Sequence, residues 1–142
     1  MPSPAPSVKS VLSPIAADMQ QLDQVIRTSL HSEVSLINQI SDYIINAGGK
    51  RLRPALVILT ARALGANPQQ MQQAIELAAI VEFIHTATLL HDDVIDESFS
   101  RRGRPTANKL WDNKSSVLVG DFLFARSLDG WIQSMVSVRQ CG

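Results

Sequence analysis

Asn67-Pro68 opens the longest periodic run in the chain, and that run limits the fold more than any other feature. An asparagine side chain accepts a free N–H of a first helical turn, and a proline just inside the turn gives up a donor that would have no partner. From Gln69 to about Ile95 apolar residues recur at helical spacing, with Ala74, Leu77, Ala78, Val81, Ile84 and Thr88 marking the expected buried side. A rod of about seven turns in a chain of this size must be the spine of a bundle, because only neighbouring elements can cover its apolar surface.

The remaining segments supply such neighbours. Ile15, Met19, Leu22, Ile26 and Leu30 keep a helical period, and so do Val34, Ile37, Ile40 and Ile44 after a cap at Ser32. Gly48 and Gly49 stop that second helix. Pro54 suits the first turn of a third, PALVILTARALG, which Gly65 closes, and SSVLVGDFLFARS is the last clear apolar segment. No strand is predicted, since the apolar runs keep a period near 3.6 and hairpin turn pairs are missing. The expected fold is all-α, an antiparallel helix bundle. Residues 1–14, which hold four of the seven prolines, are expected to be a disordered leader.

Composition narrows the partners. Thirteen basic and thirteen acidic side chains cancel, so nothing global draws the chain to nucleic acid or to an anionic membrane. No apolar signal core precedes the first helix, and no apolar stretch is expected to be long enough to span a bilayer. The single cysteine, Cys141, leaves no internal disulfide framework and fits a reducing compartment, so the expected location is the cytoplasm.

Charge matters where it is clustered. In HTATLLHDDVIDES, His85, Thr88, Asp92 and Asp96 share one helical face. Like charges one turn apart cost roughly 0.2–0.5 kcal/mol, and carboxylates sit badly at the negative end of a helix dipole. Two readings fit. One is a hard cation such as magnesium, which takes one or two carboxylates and fills its shell with water and phosphate. The other is a solvated helix end with nearby arginines as counter-ions. Lys50, Arg51 and Arg53 in GGKRLRP form a diphosphate cradle or a solvated basic loop, and Arg101 and Arg102 in SRRGRPT form a second basic patch. His91 reads as a satisfied core histidine. His85, two turns before Asp92, reads as a hydrogen-bond donor to an anion. Together, one acidic and two basic sites describe a cavity for two diphosphates.

GGKRLRPAL, HTATLLHDDVIDES, RRGRPTAN and SVLVGDFLFARS resemble, in order and spacing, the trans-polyprenyl diphosphate synthases. The likeness is to the bacterial long-chain type that makes octaprenyl or decaprenyl diphosphate for ubiquinone side chains. It covers residues 15–127, which it marks as the amino-terminal half of an isoprenoid synthase domain. The resemblance implies a magnesium-dependent prenyltransferase that joins isopentenyl diphosphate to an allylic diphosphate such as farnesyl diphosphate. It implies that Asp92 and Asp96, with Asp93 assisting, hold magnesium and the allylic diphosphate. Lys50, Arg53, His85 and Arg102 match residues that bind isopentenyl diphosphate. Arg101 matches a contact to the allylic diphosphate and, with Asp92 and Asp96, counts among the catalytic residues. Small side chains at Ala87 and Thr88 imply an open tunnel and a long product.

The family's second aspartate-rich motif has no counterpart here, and the tail LDGWIQSMVSVRQCG departs from the pattern, with Gly130 interrupting it. The expectation is a reading-frame shift or a cut gene near Leu128, with residues 128–142 a divergent tail and weak or absent turnover by the chain alone. The competing expectations are a non-catalytic partner subunit of a complete synthase and a plain helical fragment. Assembly is expected as a homodimer or as a heteromer with a longer synthase.

Overall fold

The computed structural model describes residues 3–47 and 49–140, with the side chain of Val138 left aside; the expectations placed on Gly48 and Cys141 therefore lie outside the described residues. Among the described residues, seven α-helices account for most of the chain: α1 (Val8–Leu12), α2 (Ala16–Ser29), α3 (Ser35–Ala47), α4 (Leu52–Ala63), α5 (Pro68–Ile95), α6 (Ala107–Leu110) and α7 (Asn113–Gln140). A 3-10 turn, Ser13–Ile15, joins α1 to α2. The all-α expectation holds apart from one short hairpin.

Local signals set the helix boundaries. Asn67 forms a reciprocal capping box with Gln70, its side chain accepting the Gln70 N–H at 2.8 Å while the Gln70 side chain accepts the Asn67 N–H at 2.9 Å. Gly65, at φ 75°, closes α4 in a Schellman arrangement, with Ala66 N donating to Ala61 O and Gly65 N to Arg62 O. Ser32 sits ahead of α3, where its hydroxyl accepts the Val34 N–H. Ahead of α2, the leader expected to be disordered contains the single turn of α1, none of which is buried.

α5 is the spine. It packs chiefly against α7 and α4, with α2 on a further side. Its buried side is Met71, Ile75, Ala78, Ala79, Phe83, Ala87 and Leu90, meeting Leu22, Ile26, Ile58, Val119 and Leu123 in one core. This corrects the face expected from the sequence: Ala78 is buried, but Leu77, Ile84 and Thr88 are exposed. α5 is apolar nearly all round, so periodicity alone does not say which side meets the other helices. The bilayer expectation also needs correction, because α5 is long and apolar enough to cross a membrane by length and composition. Half of the relevant window is buried inside the fold, as befits the core helix of a bundle.

Two close approaches lock α7 onto α5. His91 lies against Gly120, where a Cβ would overlap its ring. Its Nε2 is 3.2 Å from Val117 O and 3.4 Å from an Asp121 carboxylate oxygen, and its ring rests near Phe124. Further on, Gly130 faces Ile80 at 3.2 Å. α7 runs through Gly130 without a break, so the glycine serves a helix crossing.

The hairpin was not expected. β1 (Ser100–Arg101) pairs antiparallel with β2 (Arg104–Pro105), Arg101 opposite Arg104, leaving Arg102-Gly103 as a two-residue turn. Both turn residues have positive φ, 53° and 75°, the signature of a type I′ turn. Arginine stands where asparagine or aspartate is the usual signal, which is why the turn pair escaped notice.

Candidate diphosphate site

Three segments far apart in sequence converge beside the C-terminal half of α5. The loop before α4 brings Gly49 and the first turn of α4 brings Arg53, α5 brings Glu82, His85 and Asp93, and the hairpin brings Arg101, Arg102 and Arg104. With Tyr43 of α3 they line one cavity of about 370 Å³. Four guanidinium groups around one cavity make it a place for an anion.

Each group is held differently. Arg53 Nη1 lies 3.2 Å from His85 Nε2, so the imidazole accepts from the guanidinium there and keeps Nδ1–H as its own donor. Burial, and then Arg53, push the His85 pKa below the ordinary histidine value; Glu82 opposes this, and Arg101 and Arg102 add to it. The neutral ring therefore keeps one N–H to offer. Arg101 grips Asp93 through two bonds, Nη2 to Oδ1 at 2.6 Å and Nε to Oδ2 at 3.4 Å. That hydrogen bonding raises the Arg101 pKa, and Asp92 and Asp96 contribute from farther away. The Arg102 guanidinium meets Gly49 through Nη1, where any Cβ would overlap it. A side chain at position 49 would take the space of the arginine, which is the physical need for glycine there.

The acids divide. Asp93 is buried and faces the basic cavity, while Asp92 and Asp96 are exposed on the neighbouring side of α5, one turn apart, with the Asp96 N–H bonded to the Asp92 carbonyl. Among the described residues no three His, Cys, Asp or Glu side chains come together to hold a metal. A pair of exposed carboxylates still suits magnesium, which needs one or two protein oxygens when water and phosphate supply the rest. Asp93 is less suited, since Arg101 occupies both of its oxygens.

The structure brings together Arg53, His85, Arg101 and Arg102 as one group, while Lys50 is exposed on its loop and does not line the cavity. Ala87 is fully buried in the core, and only Thr88 of the expected tunnel pair lies on the open face with Ile84 and Asp92. Sequence reasoning missed Tyr43, Glu82 and Arg104. Arg104 stood in the quoted SRRGRPT, and its charge was the available signal. The non-glycine residues with positive φ among the described residues, Arg51, Glu97 and Arg102, fall one in each of the three charged motifs. Backbone strain of this kind gathers at functional sites.

The sequence model of the polyprenyl synthetase family matches residues 34–138, most of the chain and past Ser127. The chain belongs to the polyprenyl synthetase family. It is 50% identical over 121 residues to an all-trans-nonaprenyl-diphosphate synthase (geranyl-diphosphate specific) of Rhodobacter capsulatus, covering 85% of this chain and 37% of that protein. It is 51% identical over 112 residues to the octaprenyl diphosphate synthase of Escherichia coli strain K12, covering 79% and 34% respectively. Among solved structures, a polyprenyl synthase from Caulobacter crescentus CB15 complexed with calcium and isoprenyl diphosphate superposes with a TM-score of 0.84 at 44% identity, covering 93% of this chain and 39% of that one. The chain thus spans about a third of the length of the curated relatives it matches.

Proposed function

We propose that this chain carries the isopentenyl diphosphate site and the first magnesium-binding acids of a trans-prenyltransferase that makes a long polyprenyl diphosphate for quinone side chains. The observation that supports it most is the convergence of Arg53, His85, Arg101 and Arg102, from three separate motifs, on one cavity. In this reading Arg53, Arg102 and the His85 Nδ1–H hold the diphosphate of isopentenyl diphosphate, with Lys50 reaching in from its loop. Asp92 and Asp96 would hold magnesium, which would supply positive charge against the leaving diphosphate. Arg101, oriented by Asp93, adds a fixed positive charge where pyrophosphate departs. The double bond of isopentenyl diphosphate attacks the allylic carbon, pyrophosphate leaves with the bonding electron pair, and loss of a proton completes a chain five carbons longer. Relatives named for eight- and nine-unit products, together with the small Thr88 on the open face, support a long product. Isopentenyl diphosphate is a water-soluble anion, and a cytoplasmic location goes with this reading.

Calorimetric titration with isopentenyl diphosphate tests the site. Binding should weaken roughly 10- to 100-fold in Arg53→Gln and Arg102→Gln, the scale of one charge-assisted hydrogen bond. Unchanged affinity in both variants defeats the assignment. Conversion of labelled isopentenyl diphosphate with farnesyl diphosphate and magnesium should be weak or absent in the chain alone, and whatever turnover it has should be lost in Asp92→Ala, which tests the chemistry.

One observation favours a second reading, a partner subunit of a longer synthase or a like copy. An apolar cleft of about 560 Å³ lies open between α5 and the end of α7, lined by Ala74, Leu77, Ile80, Trp131 and Met135. Co-expression with a full-length synthase followed by size-exclusion chromatography decides whether the two travel together.

A further inference from the structure

Four guanidinium groups line the cavity, and three of them already have a role within the fold. Arg53 donates to His85, Arg101 is committed to Asp93, and Arg102 is seated on Gly49. Arg104 differs. Like Arg53 and Arg102 it has no carboxylate partner among the described residues, but what holds it is an aromatic ring: its Cζ lies 4.6 Å from the centre of the Tyr43 ring. An aromatic face holds a guanidinium without neutralising it, and leaves its N–H edge free to meet an anion.

The ring is itself well anchored. The Tyr43 hydroxyl donates to the Pro105 carbonyl at 2.6 Å, and the ring meets Trp111 edge-on at 5.3 Å. One side chain of α3 thus ties down the second strand of the hairpin and supports the arginine that precedes Pro105. Charge balance gives this arrangement a purpose. The cavity sets four guanidinium groups against the carboxylates of Glu82 and Asp93, so two positive charges remain while His85 is neutral. Without Arg104 only one would remain, a poor match to a diphosphate.

We propose that Arg104 is a further diphosphate-binding residue of this cavity and that Tyr43 is its positioning residue, acting through the stacked guanidinium and the bond to Pro105. The inference rests on the diphosphate reading of the cavity. It adds a cation from the second strand of the hairpin to those that α4 and the hairpin turn supply.

The test uses the full chain and inorganic pyrophosphate as the probe, with affinity read by calorimetry at low and moderate salt. Arg104→Met keeps the aliphatic stem and should weaken binding roughly 10- to 100-fold, flatten its salt dependence, and leave the melting temperature unchanged because the side chain is exposed. Tyr43→Phe keeps the stacking and should lose only a few-fold. Tyr43→Leu should lose about as much as Arg104→Met, and the double variant no more than either single, because the tyrosine acts through the arginine. Should Tyr43→Leu fail to fold, Arg104→Met and Tyr43→Phe carry the test. Arg53→Gln separates the outcomes. If it weakens binding while Arg104→Met does not, the inference is overturned and the diphosphate cavity stands. If the unmodified chain does not bind pyrophosphate, or Arg53→Gln has no effect, the cavity reading falls and the inference with it.

Discussion

Gly49→Ala should separate affinity from stability. A Cβ at position 49 would coincide with Arg102 Nη1 and lie 2.9 Å from Cζ and 3.3 Å from Nη2, so the whole guanidinium must leave its seat. The obstacle is the free end of a long side chain rather than backbone, so the fold yields cheaply. Gly49 does not have a left-handed φ, and a Gly→Ala change at a compatible position stabilises by about 0.4–1 kcal/mol through the unfolded chain. The expected melting temperature is therefore unchanged or slightly higher. Binding moves the other way. A displaced Arg102 forfeits a charge-assisted hydrogen bond worth about 1.5–3 kcal/mol, a roughly 10- to 100-fold rise in Kd for isopentenyl diphosphate. Thermal denaturation and calorimetry on the same preparation measure both. Affinity retained in Gly49→Ala would refute the reasoning, since it would mean that Arg102 binds nothing from its observed seat.

The other predictions concern the frame around the cavity. Gly120→Ala, which normally gains about 1 kcal/mol of helix propensity, should instead destabilise, because the His91 ring blocks the new methyl group; Gly130→Ala, facing the tip of Ile80, should be near neutral, and urea titration compares the two. Asn67→Ala removes the capping box and should cost about 1 kcal/mol by the same assay. Asp93→Asn should cost about 1–2 kcal/mol, below a fully buried pair because Arg101 is 44% exposed, and should also loosen Arg101 where pyrophosphate departs. His85 has a folded pKa below its unfolded value of about 6.5, so the unfolded chain takes up the proton first. Its contribution to stability is whole above that pH and is lost as pH falls through it toward the folded value; denaturant titrations from pH 7.5 to 5 should show His85→Gln losing less than the parent.

How much could be read before folding varied with the range of the interaction. Asn67, Pro68 and Gly65 act on atoms within five residues of themselves, and their caps and boundaries were legible. The buried side of α5 was not, because Leu77 and Ile84 look as apolar as Ile75 and Phe83, and only the placement of α4 and α7 chooses between them. At the site the motifs were legible as charges but not as a cavity. Arg53 and His85 stand far apart in the sequence, and nothing local tells that Arg101 turns to Asp93 or that Tyr43 reaches Pro105. The hairpin stayed hidden because its strands are two residues long and arginine holds a turn position that glycine or asparagine usually takes.

Arg51, Glu97 and Arg102 carry a lesson for anyone trying to harden this protein. Each holds a left-handed backbone that glycine adopts freely and that costs other residues about 1 kcal/mol. A screen that rewards heat resistance alone would be drawn to glycine at these positions. At Arg102 it would remove a guanidinium that lines the cavity, and the more durable variant would be the one less able to hold an anion.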